Sequence, residues 1–324
     1  MPKNAVVLLH RGDPRTPEEV ETFLKALYSD PGSTSLPFGQ AVQVWLGGWI
    51  ARIDAKSLKA RLTAAGGRSA WHERIDTVAH EVEKLFNGDN QGTAAAEWIV
   101  RAAYTHRPEG LEALKQQLKA EGVTRAVGVS LYSHKATRRG GAVMQAFLKA
   151  FDDSSGVSVS VIERLSADPG YVDLIRAQLA AAPLAGQEAT VVFAAPGVER
   201  ADLDTGDDYR PNIEATAAAV VDKTSFKHAV AWLGEKMPGP LLPSVLQGLG
   251  KEGVKNVLLV PLGTTVDELG VVYALDVEAK EVAKEAGITR IDRAPQLCGE
   301  AGFAPLIHRV VNDHIMRVSA LGLG

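Results

Sequence analysis

The strongest constraint on the fold is a repeated order of helix and strand along the chain. Short apolar runs alternate with helix-like segments, beginning with AVVLL at 5–9 and the capped segment TPEEVETFLKALYSD at 16–30. The later pairs of helix and strand are 71–87 with 95–104, 109–120 with 125–132, 141–151 with 157–162, and 171–181 with 189–195. This alternation predicts parallel strands joined by right-handed crossovers, a doubly wound α/β fold.

A weak internal repeat predicts that the chain forms two such lobes. The segment LEALKQQLKAEGVTRAVGVSLYS (111–133) is similar to LLPSVLQGLGKEGVKNVLLVPLGT (241–264), and FDDSSG (151–156) is a short polar linker between them. Chance similarity between two helix–strand units is the alternative. We expect lobes at 1–152 and 153–297, followed by a C-terminal helix at 298–324 that packs back on the first lobe. Ligands of such sheets bind at the carboxyl ends of the strands, so the cleft between the lobes is the expected site.

Composition excludes several classes of protein. A chain of 324 residues is long for one core, and a net charge of −4 argues against a general nucleic-acid binder. The single cysteine, Cys298, excludes an internal disulfide and a cysteine-based zinc site and is typical of a reducing compartment. No apolar run reaches the ~18 residues of a membrane span. We expect a cytoplasmic protein; the sequence gives no prediction of its oligomeric state.

The common catalytic and nucleotide-binding motifs are absent. The sequence contains no G-x-G-x-x-G after a strand, no G-x-x-x-x-G-K-[ST], no G-x-S-x-G and no H-E-x-x-H. His72 and His80 lie on one helix, where we expect solvated side chains rather than a metal site. His10 and His134 follow strands directly, so either a site role or a structural role is open for them.

Motifs in order along most of the chain resemble the ferrochelatase family. They are VVLLHRGDPRTPEEVETFLKALYSDP at the N-terminus, GGRSAWHERI (66–75), the segment from YTHRPEG to SLYSHKATRRGG, GDDYRPNIEAT (206–216), PGPLLP (238–243), LDVEAKE (275–281) and AGFAPLIHRVV near the C-terminus. The resemblance implies two flavodoxin-like lobes with a tetrapyrrole cleft between them. Porphyrin or haem is the implied ligand and Fe²⁺ the implied metal; the resemblance implies no resident cofactor.

Two positions depart from that family's pattern. The family's strand ends in S-A-H-G, and here Ala194-Ala195-Pro196-Gly197 stand in its place. The family's D-H-L-E segment aligns with Asp267-Glu268-Leu269-Gly270, so that Gly270 replaces the glutamate. In the family this histidine and glutamate serve metal insertion, which removes two pyrrole protons and therefore requires a proton acceptor. Proline and glycine side chains cannot supply one.

Other residues are candidates for a site. Since Glu268 lies two residues from Gly270, on a helix it would point about 200° away. Asp207 and Asp208 are expected to be solvated loop acids, and His228 is expected to be a core or surface residue rather than a site residue. The resemblance implies a basic loop that holds the ring, in which Arg138, Arg139 and Lys135 are either ligands or solvated. The porphyrin-binding candidates are His10, Arg11, Tyr132, His134, Lys135, Arg138, Pro196 and Gly197. The metal candidates are His10, His134, Glu268 and Glu278.

Three hypotheses of function follow. The first is a tetrapyrrole binder of haem metabolism that is impaired or inactive in Fe²⁺ insertion. The second is an active porphyrin chelatase whose metal and proton residues have moved. The third is a structural paralogue with a closed cleft that acts through protein contacts. Separately, the apolar segment LPFGQAVQVWLGGWI (36–50) carries Trp45 and Trp49 on one helical face. It is either a peripheral membrane contact or a buried core helix.

Overall fold

The residues that the structure describes form eight strands in two separate parallel sheets. A computed structural model describes residues 3–34, 40–69, 71–88, 96–107, 110–152, 155–182, 184, 188–222, 224–234 and 239–320. The strands are β1 (Lys3–His10), β2 (Glu97–Tyr104), β3 (Val123–Ser130), β4 (Ser158–Ile162), β5 (Thr190–Pro196), β6 (Lys227–Leu233), β7 (Asn256–Pro261) and β8 (Arg290–Arg293). All pairings within the sheets are parallel, so the predicted α/β class is confirmed.

The two sheets have the same internal order. The first sheet runs β2-β1-β3-β4 and the second β6-β5-β7-β8. The two segments of the internal repeat contain β3 and β7, which take the same place in their sheets. This agreement in topology is the result that a duplicated α/β unit predicts. Residues 153 and 154 of the expected linker lie outside the described residues.

Twelve α-helices among the described residues connect and cover the strands. They are α1 (Val20–Ser29), α2 (Gln40–Ala64), α3 (Trp71–Gly88), α4 (Leu111–Ala120), α5 (Ala142–Ala150), α6 (Pro169–Ala181), α7 (Arg200–Asp204), α8 (Tyr209–Val221), α9 (Leu242–Lys251), α10 (Leu269–Val272), α11 (Ala279–Glu285) and α12 (Phe303–Ala320). Short π-helical turns precede α5 at Thr137–Gly141 and join α10 to α11 at Tyr273–Glu278. The C-terminal α12 contacts α3, α6 and β3.

The start of α1 differs from the prediction. The segment from Thr16 was expected to be helical, but the helix begins at Val20. The carboxylate of Glu19 accepts a hydrogen bond from the backbone N–H of Arg15 at 2.8 Å and also pairs with Arg107. These contacts hold residues 15–19 in a turn.

One hydrophobic core crosses the boundary between the lobes. It joins Val6 and Leu8 of β1 to Phe193 of β5 and Val260 of β7, all almost completely buried. Helix α12 adds Phe303 to the same core. The two sheets therefore pack against each other through this core. Residues that follow or end strands of both sheets lie around one pocket.

Candidate functional site

A pocket of about 460 Å³ lies where the carboxyl ends of the two sheets meet. Residues of both lobes line it: Arg11, Arg61, Arg139, Pro196, Trp232, Leu233, Gly234, Leu241, Leu242, Pro243, Glu268, Gly270, Val271, Tyr273, Ala274, Glu278, Ala279, Glu281 and Val282. We call the buried part around Arg11, Arg139 and Glu268 the inner end. The outer end carries the exposed side chains of Arg61, Glu278 and Glu281. The volume is within the range of small-molecule sites.

Glu268 is the central residue of the inner end. Its carboxylate is 2% exposed and lies 3.3 Å from Arg11 Nη2 and 3.2 Å from Arg139 Nη1. The hydroxyl of Tyr132 donates to it at 3.0 Å, and His10 Nε2 lies 3.1 Å away without hydrogen-bond alignment. Burial alone would raise the pKa of Glu268, but Arg11, His10 and Arg139 outweigh burial and hold that pKa well below its usual range. Glu268 is therefore an ionised counterion of two arginines.

His10 lies beneath this carboxylate as a neutral ring. It is fully buried, stacks on Tyr132 with ring centroids 4.6 Å apart and contacts Trp71 edge-on. Its Nδ1 accepts a hydrogen bond from the backbone N–H of Gly12 at 3.0 Å, which leaves the ring proton on Nε2 facing Glu268. Burial lowers the pKa of His10. In this state His10 has no lone pair free to accept a proton from a ligand.

The geometry at Glu268 corrects one prediction. We expected this side chain to point away from the site because a helix would carry it about 200° from Gly270. The helix α10 begins only at Leu269, and Glu268 has extended backbone with ψ of 140°. Consequently Glu268 and Gly270 both line the pocket. The sequence-based argument failed because it assumed helix where the chain is still a loop.

Pro196 and Gly270, the two positions at which the resemblance predicts replaced residues, both line the pocket. Pro196 ends β5 and lines the pocket beside Trp232 and Leu233 of β6. Gly270 of α10 lines the same pocket, and a Cβ atom added to it would meet no atom within 4 Å. Neither residue brings a titratable group into the pocket.

The structure separates the remaining candidates. Arg11 and Pro196 line the pocket, and Glu278 lies at its outer end. His134 is buried elsewhere, with its ring nitrogens 3.0 Å from Ser133 Oγ and 2.9 Å from Thr216 Oγ1, and burial lowers its pKa to about 3.

The basic residues of the loop at 135–139 also differ in whether they line the pocket. Lys135 pairs with Glu163 and Arg138 with Asp202, each at 2.8 Å. These two residues and Gly197 are absent from the lining of the pocket, whereas Arg139 belongs to it. No group of three or more His, Cys, Asp or Glu side chains able to hold a metal ion occurs in the described part of the chain.

Three further expectations need correction. His72 is 2% exposed and stacks on Trp71 at 3.8 Å, whereas a solvated helix face was expected; burial lowers its pKa to about 2. Asp207 is more than a solvated loop acid, because it accepts a hydrogen bond from the backbone N–H of Thr137 at 2.6 Å. Asp208 likewise pairs with Arg164 at 2.6 Å.

His228 is exposed on the edge strand β6.

The tryptophans of α2 are exposed. Trp45 is 73% and Trp49 58% exposed, and Ile53 continues the same helical stripe at 55%. A buried core helix is therefore the wrong alternative for this segment, of which residues 36–39 lie outside the described residues. None of the helices in the described ranges is long and apolar enough to span a membrane.

Asp13 was not among the predicted site residues, although it supports the site. It is 5% exposed, and its Oδ2 accepts a hydrogen bond from the backbone N–H of Leu269 at 2.5 Å. Burial and the nearby charge of Glu268 raise the pKa of Asp13 to about 7. Its position in the loop directly after β1 was the only sequence signal for it.

Asp13 should make stability fall as pH rises from about 4 to about 7. An unfolded aspartate ionises near pH 4, whereas folded Asp13 keeps its proton up to about pH 7. Between these two values only the folded state holds the proton, so a rise in pH favours the unfolded state. The Asp13→Asn variant should lack this component, a difference of about 1.4 kcal/mol in unfolding free energy per pH unit. Urea unfolding of both proteins at pH 5.0, 6.0 and 7.0 measures it; parallel pH curves would contradict the assignment.

Comparison with known proteins identifies the family. A sequence model described as Ferrochelatase matches residues 3–315. The chain belongs to the ferrochelatase family. It is 29% identical to ferrochelatase of Geotalea daltonii over 96% of this chain and 98% of that protein. It is 27% identical to mitochondrial ferrochelatase of Bos taurus over 97% of this chain and 78% of that protein.

Solved chelatase structures share the fold. SirB from Bacillus subtilis with Fe³⁺ aligns with a TM-score of 0.53 at 12% identity, covering 74% of this chain and 90% of that one. DR2241 from Deinococcus radiodurans, described as similar to chelatases, aligns with a TM-score of 0.50 at 14% identity, covering 94% of this chain and 54% of that one. These matches support the two-lobed architecture of this ferrochelatase-family chain.

Proposed function

We propose that this chain is a tetrapyrrole-binding member of the ferrochelatase family that is impaired or inactive in Fe²⁺ insertion. Family membership supports a chelatase-related role in haem metabolism. The observation that carries the proposal is the inner end of the pocket. Pro196 and Gly270 add no titratable side chain to the pocket lining, and the carboxylate of Glu268 that lines its inner end is held by two arginines.

The chemistry of insertion explains why this arrangement is unfavourable. Fe²⁺ insertion needs a group that accepts pyrrole protons and ligands that replace water on the metal. An ionised Glu268 beside Arg11 and Arg139 is a poor proton acceptor, because its pKa is lowered. Two guanidinium groups also oppose the approach of a divalent cation.

The second candidate function is an active chelatase with relocated residues. The His10–Glu268 pair, with 3.1 Å between Nε2 and Oε1, favours this candidate because it places a histidine and a glutamate side by side at the pocket. The buried position of His10 and the arginines around Glu268 argue for the binder. A pocket of about 460 Å³ argues against the closed-cleft paralogue.

Peripheral membrane contact is a further part of this proposal. The exposed stripe of Trp45, Trp49 and Ile53 on α2 supports it, because tryptophans are favoured at the interface between lipid and water. Near the other end of the same helix, Arg61 lines the outer end of the pocket. The helix that carries this exposed stripe therefore also borders the pocket opening.

An anaerobic titration with a dicarboxylate porphyrin tests the function. Binding should shift the porphyrin absorption. After addition of Fe²⁺ the four-banded free-base spectrum should disappear no faster than in a protein-free control. Ala274→Trp should abolish binding by filling the pocket, whereas Lys280→Trp, an exposed change nearby, should not. Insertion faster than the control would favour the His10–Glu268 chelatase, and absence of binding would reject the tetrapyrrole assignment.

A further inference from the structure

A second cavity, of about 250 Å³, lies on the first lobe. It is bordered by the loops that follow β1 and β2 and by the start of α1. The lining residues are Asp13, Glu18, Glu19, Thr22, Phe23, His106 and Arg107, and none of them lines the larger pocket. We call this space the acidic cavity, because three of its lining side chains are carboxylates. It has no part in the proposed function.

Part of this lining is already paired within the protein. The two oxygens of Glu19 accept hydrogen bonds from the terminal nitrogens of Arg107, at 3.0 and 3.4 Å. His106 Nε2 lies 3.0 Å from a carboxylate oxygen of Asp30. Because Arg107 balances Glu19, the charge that remains on the lining belongs to the other two carboxylates. The cavity is therefore negative when both of them are ionised.

Asp13 is a buried carboxyl group without a cationic partner of its own. It is 5% exposed, and within the described ranges no lysine, arginine or histidine forms an ion pair with it. Its Oδ2 accepts one hydrogen bond from the backbone N–H of Leu269. Arg11 acts on it from a distance, and burial together with Glu268 outweighs that effect and raises the pKa of Asp13 to about 7. A cation that entered the cavity would stabilise the ionised form of this group.

The lining suits a small organic cation better than a bare metal ion. In the part of the chain that the structure describes, no three His, Cys, Asp or Glu side chains are arranged to hold a metal. Phe23 adds an aromatic ring to the lining and Thr22 a hydroxyl acceptor. An ammonium group carries three donors for such acceptors, and aromatic rings attract it. A volume of about 250 Å³ limits the ligand to a small molecule.

We propose that the acidic cavity is a binding site for a small organic cation, whose ammonium group binds to Asp13 and Glu18. The ligand supplies the counterion that the buried carboxylate of Asp13 lacks. The site is separate from the larger pocket and does not rest on the proposed function, since the two share no lining residue.

The charged groups near Asp13 come from several elements of the first lobe and from the loop before α10. Those beside it are Arg11 and Glu268, and those that share the cavity are Glu18, Glu19, His106 and Arg107, with Lys59 of α2 acting on Glu18. A proton on Asp13 removes the charge that attracts the cation, so proton and cation compete. Because the pKa of Asp13 is about 7, affinity should rise about tenfold from pH 6 to pH 8.

Calorimetric titration with n-butylammonium tests the site. At pH 8 and constant ionic strength the wild-type protein should bind it saturably, whereas n-butanol, of similar size and uncharged, should not bind. Asp13→Asn keeps an acceptor for Leu269 and should weaken binding by at least about tenfold and abolish its pH dependence. Glu21→Gln is the matched control, because this exposed carboxylate of α1 does not line the cavity.

Three results would overturn the proposal. The first is equal binding of the amine and the alcohol, and the second is amine binding that Asp13→Asn leaves unchanged. The third is Mg²⁺ binding tighter than that of the amine and lost in Asp13→Asn, which would make the cavity a metal site. Should Asp13→Asn not fold, the pH dependence of the wild type and a severalfold loss in Glu18→Gln still decide. No porphyrin takes part, so none of these outcomes bears on the proposed function.

Discussion

Replacing Glu268 with alanine will destabilise the folded protein by roughly 3–5 kcal/mol. The change leaves Arg11 and Arg139 facing each other in a largely buried site without their shared counterion. It also removes the acceptor of the Tyr132 hydroxyl. Urea unfolding at pH 7.5 measures the loss, and Glu281→Ala, an exposed change at the outer end, should alter stability by about 0.5 kcal/mol or less.

A compensated variant tests the cause of that loss. When Arg11→Met, Arg139→Met and Glu268→Leu are combined, the three charges of this cluster are removed together. Replacement of a buried ion network by apolar side chains is often neutral, so this variant should regain most of the stability that Glu268→Ala loses. If the triple variant is as unstable as Glu268→Ala, packing rather than unpaired charge explains the effect.

Pro196→His combined with Gly270→Glu should raise Fe²⁺ insertion by about 10²-fold or more over wild type. The pair adds a proton acceptor and a carboxylate to the lining of the pocket. Space exists for the new glutamate, since a Cβ at Gly270 meets no atom within 4 Å. Anaerobic conversion of a dicarboxylate porphyrin to its metallated spectrum measures the gain.

The control for this gain keeps the size of the side chain and removes its charge. Pro196→His with Gly270→Gln should bind porphyrin as the double variant does and insert Fe²⁺ far more slowly. An unchanged rate in the glutamate variant would mean that the side chains at positions 196 and 270 are not what limits insertion. The arginines at the inner end would then be the next residues to replace.

The fold was predictable from the sequence because its signal is local and repeated. Apolar strands followed by capped helices specify parallel α/β units, and the internal repeat correctly matched β3 with β7. The long helix α2 gave no comparable signal along its whole length. Its buried side chains are few and mostly small, such as Ala51 and Ala55, so an apolar stripe is hard to see in the sequence.

The site was predictable only as a set of loops. The sequence placed His10, Arg11 and Pro196 at strand ends, but the choice between Arg138 and Arg139 depends on the π-helical turn at Thr137–Gly141. That turn directs Arg138 to Asp202 and Arg139 to Glu268. The role of Glu268 depends on where α10 begins, which is fixed by the bond from Leu269 to Asp13, more than 250 positions earlier in the chain.

The core that runs through both sheets limits how the pocket can admit a ligand. Rotation of one lobe against the other would expose Val6, Leu8, Phe193 and Val260 to water, at a free-energy cost that grows with the apolar area uncovered. Side-chain movements at the outer end, around Arg61 and Glu281, uncover no such surface. Ligand exchange should therefore proceed by local side-chain movements at the entrance rather than by rotation of one lobe against the other. For the same reason the two lobes should unfold together as one cooperative unit.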